Sequence, residues 1–166
     1  MVKKNPGKLF EEDFKKSVPE DCWIYRFKDG TANFGGTKNE NVRFQAHNIC
    51  DFQVMTNDYL VLLELKSHAG ASVPFNCIRS NQIEEMFNIQ HPKIKPYFIF
   101  NFRDYEKTYA IEAKTLKLYI NTANRKSIPL AWCKANGIEI IGNKKKVRYK
   151  YDLESFLKIF KIKTCK

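Results

Sequence analysis

The stretch that decides the fold reads Asp51-Phe-Gln-Val-Met-Thr-Asn-Asp-Tyr-Leu-Val-Leu-Leu-Glu-Leu-Lys66. Two apolar runs flank the dipeptide Asn57-Asp58, and Asn and Asp tolerate the positive φ angles that two-residue hairpin loops favour. A hairpin closed by this loop places Asp51 directly opposite Glu64. Because side chains alternate along a strand, Lys66 then lies on the same face as Glu64. The stretch therefore predicts a β-hairpin that gathers two carboxylates and one ammonium group.

This group of charges predicts a metal site. A carboxylate at the end of an apolar run is costly unless it is paired or coordinated, and two neighbouring carboxylates repel each other unless a cation lies between them. Asp51, Glu64 and the Leu65 carbonyl offer the oxygen ligands that Mg²⁺ or Mn²⁺ prefers. Such an ion activates water and neutralises phosphate charge, while Lys66 would orient or help deprotonate that water, or stabilise the transition state. The pattern is typical of a metal-dependent phosphodiesterase, and the alternative is a solvated sheet edge with incidental charges.

Composition narrows the class of protein. The chain has 166 residues and carries 29 Lys and Arg against 18 Asp and Glu, a net charge of +11. This length fits a single domain spanning residues 1–166, and the charge favours a polyanionic partner such as nucleic acid. No apolar run approaches the roughly 20 residues of a membrane helix, no signal core follows Met1, and the cysteines form no C-x-x-C pair. We therefore expect a cytoplasmic protein without a membrane partner and, lacking a dinucleotide or Walker fingerprint, without an organic cofactor.

Periodicity and turn signals predict an α/β protein with a mixed sheet flanked by helices. Asn5 and Pro6 start the first helix, and Pro96–Phe102 is apolar on both faces, as in a central strand. Residues 28–48 are rich in Gly, Asn and charge and are expected to form a flexible basic excursion. The other predicted elements are a strand at Cys22–Phe27, a loop at Ser67–Asn76, a helix at Ser80–Ile89, a strand at Thr108–Glu112, a helix at Ala113–Asn121, a helix capped by Ser127 and ending at Asn136, a hairpin of Ile138–Ile141 with Lys146–Tyr151, and a closing helix capped by Asp152.

Further polar residues are site candidates with ordinary alternatives. Glu11 is either a site carboxylate or an acid favoured by the first turn of a helix, and Gln82 either contacts phosphate or water or is simply exposed. The three histidines lack zinc-ligand spacing, and three cysteines are expected to pack as small apolar residues, namely Cys22, Cys50 and Cys77. Candidate DNA contacts are Arg26, Lys28, Lys38, Arg43 and Arg79, with Phe34 and Phe44 as candidate base wedges. A second basic cluster, which either binds phosphate or solubilises a hairpin tip, comprises Lys144, Lys145, Lys146 and Arg148.

These motifs, taken in order, resemble the RecU-type Holliday-junction resolvases of the PD-(D/E)xK nuclease superfamily. The motifs are Gly7-x-x-x-Glu11, Asp51, Glu64-Leu65-Lys66 and Gln82, and the resemblance covers about Asn5 to Glu112. It implies a restriction-endonuclease-like core, a homodimer, and Mg²⁺-dependent symmetric nicking of four-way DNA junctions. It also implies that Glu11 is an active-site carboxylate and a metal ligand, and that Gln82 is a supporting residue.

Two departures from the family pattern bear on the prediction. The usual Thr-Asp-Tyr around the first acid is Cys50-Asp51-Phe52 here, and the excursion at 28–48 is shorter than the family's basic stalk. A compact form of this kind suits a phage- or prophage-encoded resolvase.

The leading hypothesis is a dimeric, Mg²⁺-dependent, structure-selective endodeoxyribonuclease that resolves Holliday junctions in DNA recombination and repair. Two alternatives stay open: a restriction- or repair-type duplex endonuclease with the same core, and a non-catalytic DNA-binding module. In the dimer, two sites related by a two-fold axis can cut two symmetric strands. The Ile, Val and Phe side chains of the first strand and the hairpin are expected to form the shared face.

Overall fold

The computed structural model describes residues 5–27, 30–31, 45–46 and 48–162. The five helices of the described ranges are α1 (Pro6–Lys16), α2 (Ser80–Phe87), α3 (Ala113–Thr122), α4 (Leu130–Asn136) and α5 (Leu153–Ile162). The strands are β1 (Trp23–Arg26), β2 (Gly30–Thr31), β3 (Gln45–Ala46), β4 (Phe52–Met55), β5 (Leu60–His68), β6 (Ser72–Pro74), β7 (Ile94–Phe102), β8 (Lys107–Glu112), β9 (Ser127–Pro129), β10 (Ile138–Glu139), β11 (Gly142–Lys145) and β12 (Arg148–Tyr151). Short 3-10 turns occur at Phe75–Cys77 and Arg103–Tyr105.

Six of the strands form one mixed sheet in the order β1-β4-β5-β7-β8-β10. β5 and β7 run parallel over nine residue pairs, and the other neighbours are antiparallel. The predicted central strand is therefore confirmed, because β7 lies between β5 and β8. Its Phe98, Ile99 and Phe100 are fully buried, as expected for a strand that has helices on both faces. The α/β class with a sheet flanked by helices is confirmed.

Each face of the sheet supports its own hydrophobic core. One core contains Phe10 and Phe14 of α1 and Phe156 of α5. The other contains Met86 of α2 and Leu116 of α3. Burial of these side chains stabilises the fold by roughly 1.5–3 kcal/mol for each large apolar residue. No helix within the described ranges is long and apolar enough to cross a membrane.

The hairpin of β4 and β5 has the predicted register. Phe52 pairs with Leu63, and the pairing continues through Met55 with Leu60. The predicted turn conformation is wrong, however, because the non-glycine residues of the described ranges that have positive φ are Glu106 and Lys146. The loop instead relies on Thr56, whose buried Oγ1 accepts hydrogen bonds from the Asp58 and Tyr59 N–H groups at 3.3 and 3.0 Å.

Two of the three predicted helix caps are confirmed. The Asn5 side chain accepts a hydrogen bond from the Gly7 N–H at 2.9 Å, and Pro6 is the first residue of α1. Asp152 accepts from the Ser155 N–H at 3.1 Å at the start of α5. These side chains satisfy N–H groups that a helix start leaves unpaired.

Three predicted elements differ from the structure, two of them because strands pair with distant partners. The expected loop at Ser67–Asn76 is partly strand, because β5 follows its parallel partner β7 as far as His68 and β6 pairs with β9. Ser127 begins β9 and does not cap a helix. The predicted helix at Ser80–Ile89 ends at Phe87, and Asn88 is its C-cap.

The last hairpin is also shifted. Ile138–Glu139 pairs with β8 in the main sheet, and the hairpin consists of β11 and β12. It turns at Lys146, which has a φ of 58°, and not at Gly142-Asn143. Ile138–Glu139 thus pairs with β8 at the sheet edge, whereas the local turn signal predicted that it belongs to the hairpin.

The excursion at 28–48 is described only at two short strands and at its last residue, Asn48. β2 and β3 pair with each other in antiparallel fashion, with Gly30 opposite Ala46. Five residues singled out in the sequence lie outside the described ranges: Lys28, Phe34, Lys38, Arg43 and Phe44.

Candidate active site

Asp51 lies at the point where three strands of the sheet meet. Its carbonyl accepts the Phe27 N–H at 2.9 Å, just after β1, and its own N–H donates to the Leu63 carbonyl at 3.1 Å. Its carboxylate Oδ2 accepts the Leu65 N–H at 2.7 Å. Regular pairing of the hairpin starts one residue later, at Phe52. Asp51 is therefore fixed beside β5 at the end of the ladder. The regular pair between Asp51 and Glu64 that the sequence predicted does not form.

Glu64 lies in the middle of β5 and is 2% exposed. Its Oε1 is 2.7 Å from the Lys66 Nζ, two residues further along the strand. Among the described residues no donor reaches its other oxygen, Oε2. A buried carboxylate oxygen without a partner is expensive, so this atom calls for a ligand that the described residues do not supply.

The two carboxylates share one face of the sheet. Phe52 and Leu63 belong to the core on the α1 side, so the neighbouring residues Asp51 and Glu64 point to the other side by strand alternation. Their proximity appears in the electrostatics. Burial, followed by the charge of Glu64, raises the pKa of Asp51 to about 7. Burial also raises the pKa of Glu64, against the opposing charge of Lys66.

The start of α2 brings two more candidates to this cluster. Gln82 is buried, and its Nε2 donates to the Asn48 carbonyl at 3.5 Å. Its amide also helps to lower the pKa of Glu64, as does the charge of the exposed Arg79. Within the described part of the chain, Gln82 Oε1 accepts no hydrogen bond. Two unsatisfied oxygens, on Gln82 and Glu64, are therefore buried in the same small region.

Glu11 and Arg26 are held together at the periphery of the site. Glu11 Oε2 accepts hydrogen bonds from Arg26 Nη2 at 2.7 Å and from Nε at 3.0 Å. This pair links α1 to β1. The charge of Glu11 still contributes to raising the pKa of Asp51. The structure thus pairs a predicted active-site acid with a predicted DNA contact.

The oxygen donors at the site fit a hard divalent cation. Residues 5–27, 30–31, 45–46 and 48–162 contain no group of three or more His, Cys, Asp or Glu side chains that could hold a metal. Glu11 therefore does not complete a three-carboxylate cluster with Asp51 and Glu64. Mg²⁺ does not require one, since it is often held by one or two carboxylates and keeps several of its waters. The unsatisfied Glu64 Oε2 and the repulsion between the two acids are features that a cation would relieve.

The other singled-out residues have mainly structural contacts. In the second basic cluster, Lys144 is paired with Glu106, and Arg148 with Glu12 and Asp13. Cys50 is buried, with its Sγ 3.2 Å from the Phe52 carbonyl oxygen. The expectation for Cys77 is wrong, because this side chain is exposed, and Cys22 is half-buried.

Comparison with known proteins identifies the family. The model of the family Recombination protein U matches residues 19–155. The matched segment contains Asp51, Glu64, Lys66 and Gln82 but begins after Glu11, and it continues well beyond the region in which the motifs suggested a resemblance.

A curated relative supports the same assignment. The SPbeta prophage-derived uncharacterized protein YotM of Bacillus subtilis (strain 168) is 34% identical over 173 residues, which cover 92% of this chain and 85% of the relative. The prophage origin of that relative agrees with the expected phage- or prophage-encoded type. The family has a restriction-endonuclease-like fold, in agreement with the mixed sheet described above. The chain belongs to the Recombination protein U (RecU) family, a family of nucleases that resolve Holliday junctions.

Proposed function

We propose that this protein is a homodimeric, Mg²⁺-dependent, structure-selective endodeoxyribonuclease that resolves four-way DNA junctions by paired symmetric nicks. The observation that carries the proposal is the buried Glu64 beside Asp51, with one oxygen on Lys66 and the other without a partner in the described residues. A purely structural ion pair between Glu64 and Lys66 would not need a second carboxylate beside it. Asp51 is that second carboxylate, and the charge of Glu64 raises the pKa of Asp51.

Asp51, Glu64 and the Leu65 carbonyl would hold the ion, with Mn²⁺ able to replace Mg²⁺. When bound, the ion would lower the pKa of a water and neutralise charge on the scissile phosphate. Asp51 is oriented for this task, because the Leu65 N–H fixes its Oδ2. Glu11 would act from the edge of the site once its carboxylate leaves Arg26.

Lys66 is the candidate for orienting or deprotonating the attacking water and for stabilising negative charge in the transition state. Its Nζ is held 2.7 Å from Glu64, and its side chain is partly exposed. It can therefore face a nucleophilic water or a phosphate oxygen without leaving the site, and a point charge suits this role. Gln82, with its buried and unsatisfied Oε1, would orient the water.

Basic residues around this cluster would bind the DNA backbone. Arg79 is exposed at the start of α2 and Arg26 lies beside Glu11. We propose that both contact phosphates, together with Lys28, Lys38 and Arg43 of the excursion. Such contacts release counterions, so that affinity should fall steeply with salt.

A cleavage assay on three substrates tests the proposal. A labelled four-way junction, a linear duplex and a single strand are each incubated with the protein in Mg²⁺ or in EDTA. We expect symmetric nicks in the junction alone, and only with Mg²⁺. Cutting of the duplex at a fixed sequence would favour a restriction-type enzyme, and binding without any cutting would favour a DNA-binding module.

A further inference from the structure

Three large apolar side chains remain exposed on the sheet near the proposed site. Trp23 and Tyr25 of β1 are 56% and 42% exposed, and Met55 of β4 is 44% exposed. Trp23 pairs with Met55 across the two strands, so the three side chains form one patch. The Ile, Val and Phe side chains predicted to form a dimer face are different residues. Of these, Val54, Val61 and Phe52 are buried within the protomer, so that prediction is wrong for them.

The patch has the geometry of an aromatic stacking surface. The rings of Trp23 and Tyr25 are stacked, with centroids 5.9 Å apart and an angle of 14° between planes. Phe27 contacts the Tyr25 ring edge-on at 5.5 Å and packs into the core on the α2 side. The Tyr25 ring is thus supported by Phe27, while the Trp23 ring stays the most exposed of the three aromatic rings.

The patch is continuous with the proposed catalytic carboxylate. Asp51, Gln53 and Met55 are every second residue of one extended segment, so their side chains point to the same side of the sheet. At about 3.3 Å per residue, Gln53 lies roughly 7 Å from Asp51, and Met55 roughly 13 Å. Tyr25 pairs with Gln53 and Trp23 pairs with Met55. The Tyr25 ring therefore lies roughly 7 Å from Asp51 along the strand direction, and the Trp23 ring roughly 13 Å. Each strand of a duplex advances about 3.4 Å per nucleotide along the helix axis, so the patch lies within a few nucleotides of a phosphate bound at Asp51.

The area of the patch argues against a second copy of the chain as its occupant. At these exposures the three side chains present on the order of 300 Å². A stable protein interface buries about 800 Å² on each partner. A single base, in contrast, needs only one free aromatic face, and the net charge of +11 favours a DNA partner.

We propose that Trp23 and Tyr25 form a platform on which an unpaired base of branched DNA stacks, close to the strand that is cut. This proposal rests on the proposed function for the position of the DNA. A base becomes unpaired most easily where duplex arms meet, because stacking is already interrupted there. The platform would therefore help the protein to distinguish a branch point from a continuous duplex.

Intrinsic fluorescence gives a direct test, since the chain has two tryptophans. Trp132 is half-buried and stacks on Tyr119 at 4.1 Å, so Trp132→Phe keeps a ring there and leaves Trp23 as the reporter. In EDTA, where nothing is cut, we expect oligo(dT) and a four-way junction to quench Trp23, and a linear duplex to quench it much less.

Binding of variants gives the second measurement. Trp23→Ala should weaken junction and oligo(dT) binding on the order of tenfold, with duplex binding unchanged, and Trp23→Phe should retain most of the affinity. The matched control is Tyr105→Ala, which removes a 50% exposed ring on the turn after β7 and should leave all affinities unchanged.

Two results would overturn the platform. One is a Trp23 fluorescence that does not change when DNA is added to Trp132→Phe, together with an unchanged DNA affinity of Trp23→Ala. The other is a dimer that becomes monomeric in sedimentation when Trp23 is replaced, which would make this patch a contact between copies. Nicking in Mg²⁺ by the wild-type protein is a separate readout: nicking without quenching rejects the platform alone, and quenching without nicking rejects the nuclease alone.

Discussion

At the scale of single residues, the protein holds two acids closer together than their charges favour. Asp51 is half-buried and Glu64 is buried, and each has a pKa above its ordinary value because burial disfavours the charged form. Lys66 compensates one of them. Sites that will receive a cation commonly carry this kind of unbalanced negative charge in its absence.

Replacing Asp51 by Asn should separate binding from chemistry. Asp51→Asn keeps the size of the side chain but removes the charge, so we expect unchanged junction affinity in EDTA and nicking reduced about a thousandfold or more in Mg²⁺. Gel-shift and single-turnover cleavage assays measure the two effects. The control is Asp58→Asn on the exposed hairpin loop, which should cut normally. Equal loss of binding and cleavage in Asp51→Asn would count against its role as a ligand.

The raised pKa of Asp51 has a consequence for stability. The ordinary value of 3.8 rises to about 7 in the folded protein, so the folded state binds more protons than the unfolded state between these values. Stability in EDTA should therefore fall as the pH rises from about 4 to 7. Denaturant unfolding at pH 5 and pH 8 measures the loss of unfolding free energy. We expect this loss to be on the order of 2 kcal/mol smaller in Asp51→Asn than in the wild-type protein. Identical losses in both proteins would show that Asp51 is not the group responsible.

At the scale of elements, the sequence predicted what depends on local spacing. The position of the Asn57-Asp58 loop predicted the register of β4 with β5, and a continuous apolar run marked β7 as central. The segment at Ser127 was misassigned because β9 exists only through its pairing with β6, more than fifty residues away in the chain. A serine followed by apolar residues carries no sign of such a partner.

The same distinction applies to the site. Asp51, Glu64 and Lys66 come from one hairpin, so their spacing alone brought them together. Glu11 and Gln82 come from separate helices, and periodicity cannot relate separate elements, so the residues alone left their roles open and the family resemblance supported them. The exposed pair Trp23 and Tyr25 was missed, because alternation does not reveal which face of an edge strand remains uncovered.

The turn of the hairpin offers a test at this scale. Thr56→Val keeps the shape of the side chain but removes the Oγ1 that accepts the Asp58 and Tyr59 N–H groups. Because Tyr59 is buried, its N–H would lose its partner, and we expect a loss of about 1–2 kcal/mol in urea unfolding. The control is Thr122→Val at the exposed end of α3, for which we expect less than about 0.5 kcal/mol. Equal effects of the two changes would contradict this account of the turn.

At the scale of the whole molecule, only some of the 29 Lys and Arg side chains are available to a polyanion. Several basic side chains are paired with acids, among them Lys107, Lys117, Lys144, Arg148 and Lys158. Composition correctly indicates the sign of the partner's charge but not the surface that meets it. That surface depends on which cations keep no acidic neighbour after folding.

Arg79 tests this idea through salt dependence. It is exposed at the start of α2, on the side of the site. Arg79→Ala should weaken junction binding and reduce the slope of log affinity against log salt by about one. Fluorescence anisotropy across a range of salt concentrations measures both quantities. The control is Lys158→Ala, whose ammonium is already paired with Glu154 on α5 and should leave the slope unchanged. An unchanged slope in Arg79→Ala would remove this residue from the phosphate contacts.

The long parallel pairing of β5 with β7 has a consequence during synthesis. β5 leaves the ribosome well before β7, so its run Leu60–Leu65 waits without its main partner and resembles the segments from which aggregates nucleate. Glu64 and Lys66 are the charges that interrupt this run, and such gatekeepers slow self-association. A variant that makes Glu64 apolar would therefore also remove a charge that protects the nascent chain from self-association.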